Sequence, residues 1–253
     1  MVRWPIFAKG AVDAKGSTAL LMFKAFLFDY NGVLVDDEHV HLEAFREALA
    51  PLGVSISETD YWERYLGFDD IGAFRAILED AGLVRSSEEI RRLVEAKRPL
   101  YLARAEGALR GFEGAALALG LCATLGPVGI VSGALAEEIE LGLSILGCRE
   151  QVLFVVSAES TQHSKPDPEG YRLGLARLQG GLGNLRPAEV LVVEDSVDGI
   201  RAAKAAGLPC LAVAHSYPLE QLGPAGADLA LPHIRDLSLE RLESLSRRVH
   251  GLA

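Results

Sequence analysis

A series of short apolar runs, each closed by a polar residue and separated from the next by helical periodicity, constrains this chain more than any other feature. Residues 23–28 run into Asp29-Tyr30-Asn31-Gly32, residues 129–131 into Ser132-Gly133, and residues 190–193 into Glu194-Asp195-Ser196. Residues 153–156, 209–213 and 228–231 are further runs of this kind. Runs so short and continuously apolar suit strands buried on both faces. The helical stretches between them predict right-handed βαβ crossovers, and so a parallel sheet with helices on both faces. In such sheets ligands bind beyond the carboxyl ends of the strands.

Each polar terminus has a structural and a chemical reading. Asp29 beside Asn31-Gly32 suits a turn, and equally presents a carboxylate at a strand tip. Ser132-Gly133 suits a helix N-cap, and equally offers a hydroxyl and backbone N–H groups to a phosphoryl oxygen. Lys165, in Ser164-Lys165-Pro166-Asp167-Pro168, is a loop lysine or a compact positive charge held by neighbouring prolines. Glu194-Asp195-Ser196 suits a strand-to-helix junction capped by Ser196, and its two carboxylates are hard oxygen ligands of the kind Mg²⁺ takes.

Between the first run and the rest lies a long helical region. Val40, Phe45, Ala48, Leu49 and Leu52 form one stripe that Gly53 stops. Helical stretches follow at 57–65, at 70–81 before Gly82, and at 87–105 after a serine cap. The expected organisation is an extension at 1–22, an α/β core from 23–35 and 106–253, and an all-α insert at 36–105. In the core, helices are expected at 114–125, 134–146, 169–178 and 198–206. Gly180-Gly181-Leu182-Gly183 reads as a loop whose spacing does not fit a dinucleotide fingerprint. At 238–249, Leu239, Leu242, Leu245 and Val249 predict a helix docked on the sheet.

A net charge of −10 disfavours nucleic acid and anionic membranes as partners. It leaves open an anionic small substrate held by a local lysine and a metal. Cys122, Cys148 and Cys210 are widely spaced in apolar surroundings, which predicts reduced, buried thiols and a cytoplasmic protein. No apolar run reaches the length of a membrane span. Residues 1–22 lack the pattern of a secretory signal; Trp4 and Phe7 leave a docking arm as the alternative to an idle leader. The expected assembly is a monomer or weak homodimer.

Taken in order, Asp29-Tyr30-Asn31-Gly32-Val33, Ser132, Lys165-Pro166-Asp167-Pro168 and the stretch from Glu194-Asp195-Ser196 to Ala203 resemble the haloacid dehalogenase-like superfamily. The likeness is to the branch that includes β-phosphoglucomutase and phosphoglycolate-type phosphatases, and it spans residues 23–231. It implies a Rossmann-like core, a helical cap, and hydrolysis of a small phosphorylated metabolite through an aspartyl-phosphate on Asp29. It further implies Mg²⁺ held by the Asp29 carboxylate, the Asn31 main-chain carbonyl and Asp195, with Glu194 acting directly or through water. Ser132, Gly133 and Lys165 would bind the phosphoryl oxygens. Metal-free dehalogenation would leave Glu194-Asp195 without a task.

The sequence departs from this family at position 31, where most of the branch has a second Asp that protonates the leaving alkoxide. An amide cannot do so, which raises a catalytically weakened, phosphometabolite-binding homologue as an alternative. Deamidation at Asn31-Gly32 would restore an acid. His41 falls where mutase-like relatives have a histidine at the start of the cap helix, and reads either as a group beside the leaving oxygen or as a solvated helix histidine. Asp70 stands where the mutase has an arginine for a second phosphate, which argues against a phosphosugar mutase.

Overall fold

The computed structural model describes residues 23–252; the extension expected at 1–22 lies outside the described residues. The chain opens with β1 (Ala25–Phe28), continues through β2 (Val35–Asp36), and enters α1 (Glu38–Leu49), α2 (Glu58–Asp60), α3 (Asp70–Asp80) and α4 (Ser87–Ala108). It returns by β3 (Arg110–Gly111) to α5 (Ala115–Leu125), β4 (Val128–Val131), α6 (Ala136–Ile145), β5 (Val152–Val156) and α7 (Glu169–Leu182). Then follow β6 (Val190–Glu194), α8 (Val197–Ala205), β7 (Cys210–Val213), α9 (Leu219–Ala225), β8 (Leu229–Leu231) and α10 (Leu239–Val249).

The main sheet is parallel, in the order β5-β4-β1-β6-β7-β8. From β1 the chain builds outward to β5 on one side, then returns through α7 to build outward on the other. That reversal opens a crevice at the carboxyl ends of β1, β4 and β6. All four residues of β1 are buried. Phe26 and Phe28 pack with α5, α6 and α10, while Ala25 and Leu27 pack with α7 and α8, the period of two that a strand imposes. The insert has its own core of Phe45, Leu49, Phe74, Ile77, Leu78 and neighbours from α1, α3 and α4.

The helices of the insert begin where capping chemistry allows. Ser57 and Asp69 cap α2 and α3, and Ser86 with Glu89 forms a reciprocal capping box on α4. Three cysteines are buried free thiols, as expected. Among the described residues no helix is long and apolar enough to cross a membrane.

Several expectations need correction. Gly180 and Gly181 are not in a loop: α7 continues through Leu182 and ends at Gly183, whose φ is 70°. The buried Leu178 and Leu185 anchor both sides of that turn, and two helical glycines cost only about 1 kcal/mol each. Leu52 and Leu239 sit at the edges of their stripes and are exposed rather than packed. The pair β2/β3 and helix α9 are elements that the sequence pattern did not reveal.

Candidate active site

The register of the sheet brings the candidate residues together. Phe28 pairs with Ile130 on β4 and with Val193 on β6, and the Asp29 N–H donates to Val193 O at 2.9 Å. Asp29 therefore emerges beside Glu194 and near Ser132. The chain then turns tightly, with the N–H groups of Leu34 and Val35 both donating to Tyr30 O. Gly32 sits in this turn at φ 72°, and a Cβ there would lie 2.0 Å from Asp195 Oδ2. Only glycine permits both the backbone angle and the close approach.

Glu194 and Asp195 occupy the tip of β6 in different ways. Glu194 Oε1 accepts from Lys165 Nζ at 2.6 Å and Tyr171 OH at 2.7 Å, and Oε2 accepts from the N–H groups of Asp195 and Ser196 and from Ser196 Oγ. Ser196 also caps α8 through the Gly199 N–H, so its structural reading holds beside any chemical one. Asp195 is 3% exposed and accepts from Ser216 Oγ. Lys165 bridges the two tips, 3.0 Å from Asp29 Oδ1 and 2.6 Å from Glu194 Oε1.

These contacts set the charges. Burial pushes the Asp29 carboxyl up to about 6, against the pull of Lys165. Burial and the neighbouring Glu194 and Asp29 charges push Asp195 well above the usual carboxylate range. Burial works against the Lys165 ammonium, but its two carboxylate partners outweigh that and hold it above an ordinary lysine. Carboxylate oxygens of Asp29, Glu194 and Asp195 all lie within 4.8 Å of one another. Asp29 Oδ1 has only the Lys165 ion pair, without hydrogen-bond alignment. Three buried carboxylates against one lysine leave excess negative charge, and the Asp29 and Asp195 oxygens, one of them under-partnered, fit a hard divalent cation such as Mg²⁺.

A second chain of polar contacts starts at position 31. Asn31 Oδ1 accepts from Ser132 Oγ at 3.3 Å, and Nδ2 donates to both oxygens of Asp37 at 3.1 and 2.9 Å. Asp37 is fully buried, accepts from Tyr101 OH at 2.5 Å, and lies 3.3 Å from His41 Nε2. His41 Nδ1 is 2.8 Å from Lys97 Nζ. Burial and Lys97 work against a charged ring, but the Asp37 carboxylate outweighs them and holds His41 above an ordinary histidine. His41 is thus neither solvated nor free. Lys97 is itself fully buried and paired with Asp70 Oδ1 at 2.5 Å.

Asp29, Asn31, His41, Ser132, Gly133, Lys165 and Asp195 line one cavity of about 360 Å³ between the core and the helical insert. Glu194 stands behind Lys165 and does not line it. Sequence reasoning missed Asp37, Lys97, Tyr101, Tyr171 and Ser216. Ser216 was within reach, since it follows the apolar run of β7 as the other site residues follow theirs.

The chain belongs to the haloacid dehalogenase-like hydrolases, whose family model matches residues 23–207. It is similar to validoxylamine A 7'-phosphate phosphatase of Streptomyces hygroscopicus subsp. limoneus, 26% identical over 216 residues that cover 85% of this chain and 96% of that protein. It is also similar to fructose-1-phosphate phosphatase YqaB of Escherichia coli, 26% identical over 201 residues, covering 76% of this chain and 96% of that one. The crystal structure of CbbY from Rhodobacter sphaeroides in complex with phosphate superposes with a TM-score of 0.76 at 27% identity, over 88% of this chain and 100% of that one.

Proposed function

We propose that this protein is a Mg²⁺-dependent phosphatase that hydrolyses the monoester of a small phosphorylated metabolite through an aspartyl-phosphate on Asp29. The observation that carries this reading is the Asp29 carboxylate at a buried strand tip, beside Lys165 and two further carboxylates, with Oδ1 under-partnered. Relatives named as phosphatases of phosphorylated carbohydrates or related compounds support the substrate class.

In this reading Asp29 attacks phosphorus in line, the ester oxygen leaves, and water then cleaves the acyl phosphate to regenerate Asp29. Lys165, the Ser132 hydroxyl and the Gly133 N–H bind the phosphoryl oxygens as charge develops. Asp29, Asp195 and the Asn31 main-chain carbonyl would hold Mg²⁺, which neutralises phosphoryl charge when bound. Glu194, with both oxygens already committed, acts by its charge and by holding Lys165. The leaving oxygen receives no proton from Asn31, whose amide is engaged by Asp37 and Ser132. That engagement favours a second reading, a homologue that binds a phosphometabolite and turns it over slowly.

Replacing Asp195 with Ala is expected to abolish Mg²⁺ binding by calorimetry and metal-dependent turnover, while circular dichroism and gel filtration stay unchanged. Turnover unaffected by this substitution and by a chelator would reject the metal assignment. A pH dependence follows from the raised carboxylates. Protons compete with the cation for Asp29, pushed up to about 6, and for Asp195. Mg²⁺ affinity is therefore expected to fall below about pH 6, by about tenfold per pH unit for each proton displaced. Calorimetric titrations near pH 5 and near pH 7.5 read this directly, and equal affinities would contradict it.

A further inference from the structure

The part of the cavity lined by the helical insert and α6 has an unusual charge balance. Its walls there come from α1, α3 and α6, which contribute Glu38, Asp70 and Glu138. Glu138 is 2% exposed; its Oε2 accepts the Leu135 N–H, and its Oε1 has no hydrogen-bond partner. Asp70 Oδ2 is likewise buried and unpartnered. Two orphaned carboxylate oxygens in one cavity are costly unless a donor meets them.

Among the described residues, no lysine or arginine makes a hydrogen bond to either oxygen. Among the described residues that line the cavity, Lys165 is the only Lys or Arg, and it is committed to Asp29 and Glu194 at the phosphate end. The nearby Lys97 is fully buried, with its ammonium on Asp70 Oδ1 and His41 Nδ1 and 4.5 Å from the centre of the Phe45 ring. A second phosphate would meet three carboxylates and, among the described residues of the lining, no free lysine or arginine. Phe45 and Tyr61 add two aromatic side chains to the same walls, and the Tyr61 hydroxyl donates to Glu38 Oε2 at 2.6 Å. Lys97 already engages the Phe45 ring, which leaves Tyr61 beside the carboxylates, and carboxylates with an aromatic ring suit an ammonium through charge-assisted hydrogen bonds and cation–π contact.

Building on the phosphatase reading, we propose that Glu38, Asp70 and Glu138 form a cation-accepting subsite, and that the substrate is a single-phosphate ester of an amine-bearing alcohol. The test compares matched esters at about pH 7 with Mg²⁺: glucosamine 6-phosphate against glucose 6-phosphate, and phosphoethanolamine against 2-hydroxyethyl phosphate. The amine is expected to have the higher kcat/KM in at least one pair, by about tenfold, the factor one well-placed charged contact supplies. Fructose 1,6-bisphosphate is expected to be a poorer substrate than fructose 6-phosphate. Glu138→Gln keeps an acceptor for the Leu135 N–H and removes the charge, so the amine preference is expected to shrink to about threefold or less. No amine preference in either pair, a preferred bisphosphate, or a preference untouched by E138Q would overturn the subsite. If neither these esters nor p-nitrophenyl phosphate is hydrolysed, the phosphatase reading fails separately. Calorimetric Kd values for the same pairs then decide the subsite by the same criterion.

Discussion

Asn31→Asp is expected to raise kcat for an alkyl phosphate by about 10²- to 10⁴-fold, the range that a general acid–base group contributes. The new carboxylate would stand where Nδ2 now lies 2.9 and 3.1 Å from the oxygens of Asp37. Two buried carboxylates so close cannot both ionise, and the pair holds one proton at neutral pH. That proton is what the departing alkoxide lacks in the parent. Aryl phosphates gain less, because a phenolate leaves with little protonation. Intact-mass measurement and peptide mapping first establish that Asn31-Gly32 has not deamidated. The same pair carries a stability signature. A carboxylate whose folded pKa is raised binds more protons folded than unfolded, so the variant loses stability as pH rises from about 4 to the raised value. Because the folded value lies above neutrality, the loss at pH 7 is about 1.4 kcal/mol for each pH unit between the unfolded pKa and pH 7, and it disappears in acid. Urea melts of parent and variant at about pH 4 and pH 7 measure it. A parent that already turns over alkyl phosphates rapidly, with an Asp variant no faster, would mean that another residue supplies the proton. His41 would then be the first to replace.

Asp29→Asn is expected to lower turnover by a factor on the order of 10⁴ to 10⁶, the scale seen when a covalent nucleophile is removed. The amide is isosteric and retains the backbone bond to Val193 O, so the fold should persist. Its metal-free stability separates lost chemistry from lost structure. Burial pushes Asp29 from 3.8 to about 6, so at neutral pH the ionised carboxylate destabilises the fold even with Lys165 beside it. That effect is on the order of 3 kcal/mol. Without metal, the variant should melt at or above the parent at pH 7 and lose this advantage below about pH 4. Residual turnover within tenfold of the parent would exclude Asp29 as nucleophile.

The strand tips were legible in the sequence because each is one contiguous apolar run with its polar residue at the end. Asp29, Ser132 and Glu194-Asp195 needed no knowledge of what lies opposite. Asp37 and Lys97 were not legible for the converse reason. Asp37 follows Asp36 directly and reads as one of the acids that open a helix, while Lys97 reads as one charge among many on α4. Their roles arise from the packing of α1 against α4, which buries both. The glycines at 180 and 181 misled because local propensity favours a loop, whereas the helix is held by leucines on either side. The two-residue strands β2 and β3 are too short for any periodicity to register.

Those two short strands have a consequence beyond their size. Val35 pairs with Gly111 and Asp36 with Arg110, so the chain leaves for the helical insert and returns from it across an antiparallel ladder of two pairs. The excursion is thus tied at its base, and beyond that tie Asp37, held by Tyr101, reaches back to Asn31 beside the strand tip. Helices past this junction could be lengthened, shortened or exchanged for those of a relative while Asp29 and Asp195 kept their spacing. An exchange of the insert would replace Glu38 and Asp70 and leave Glu138 and the strand tips in place, at a seam two residues wide on each side.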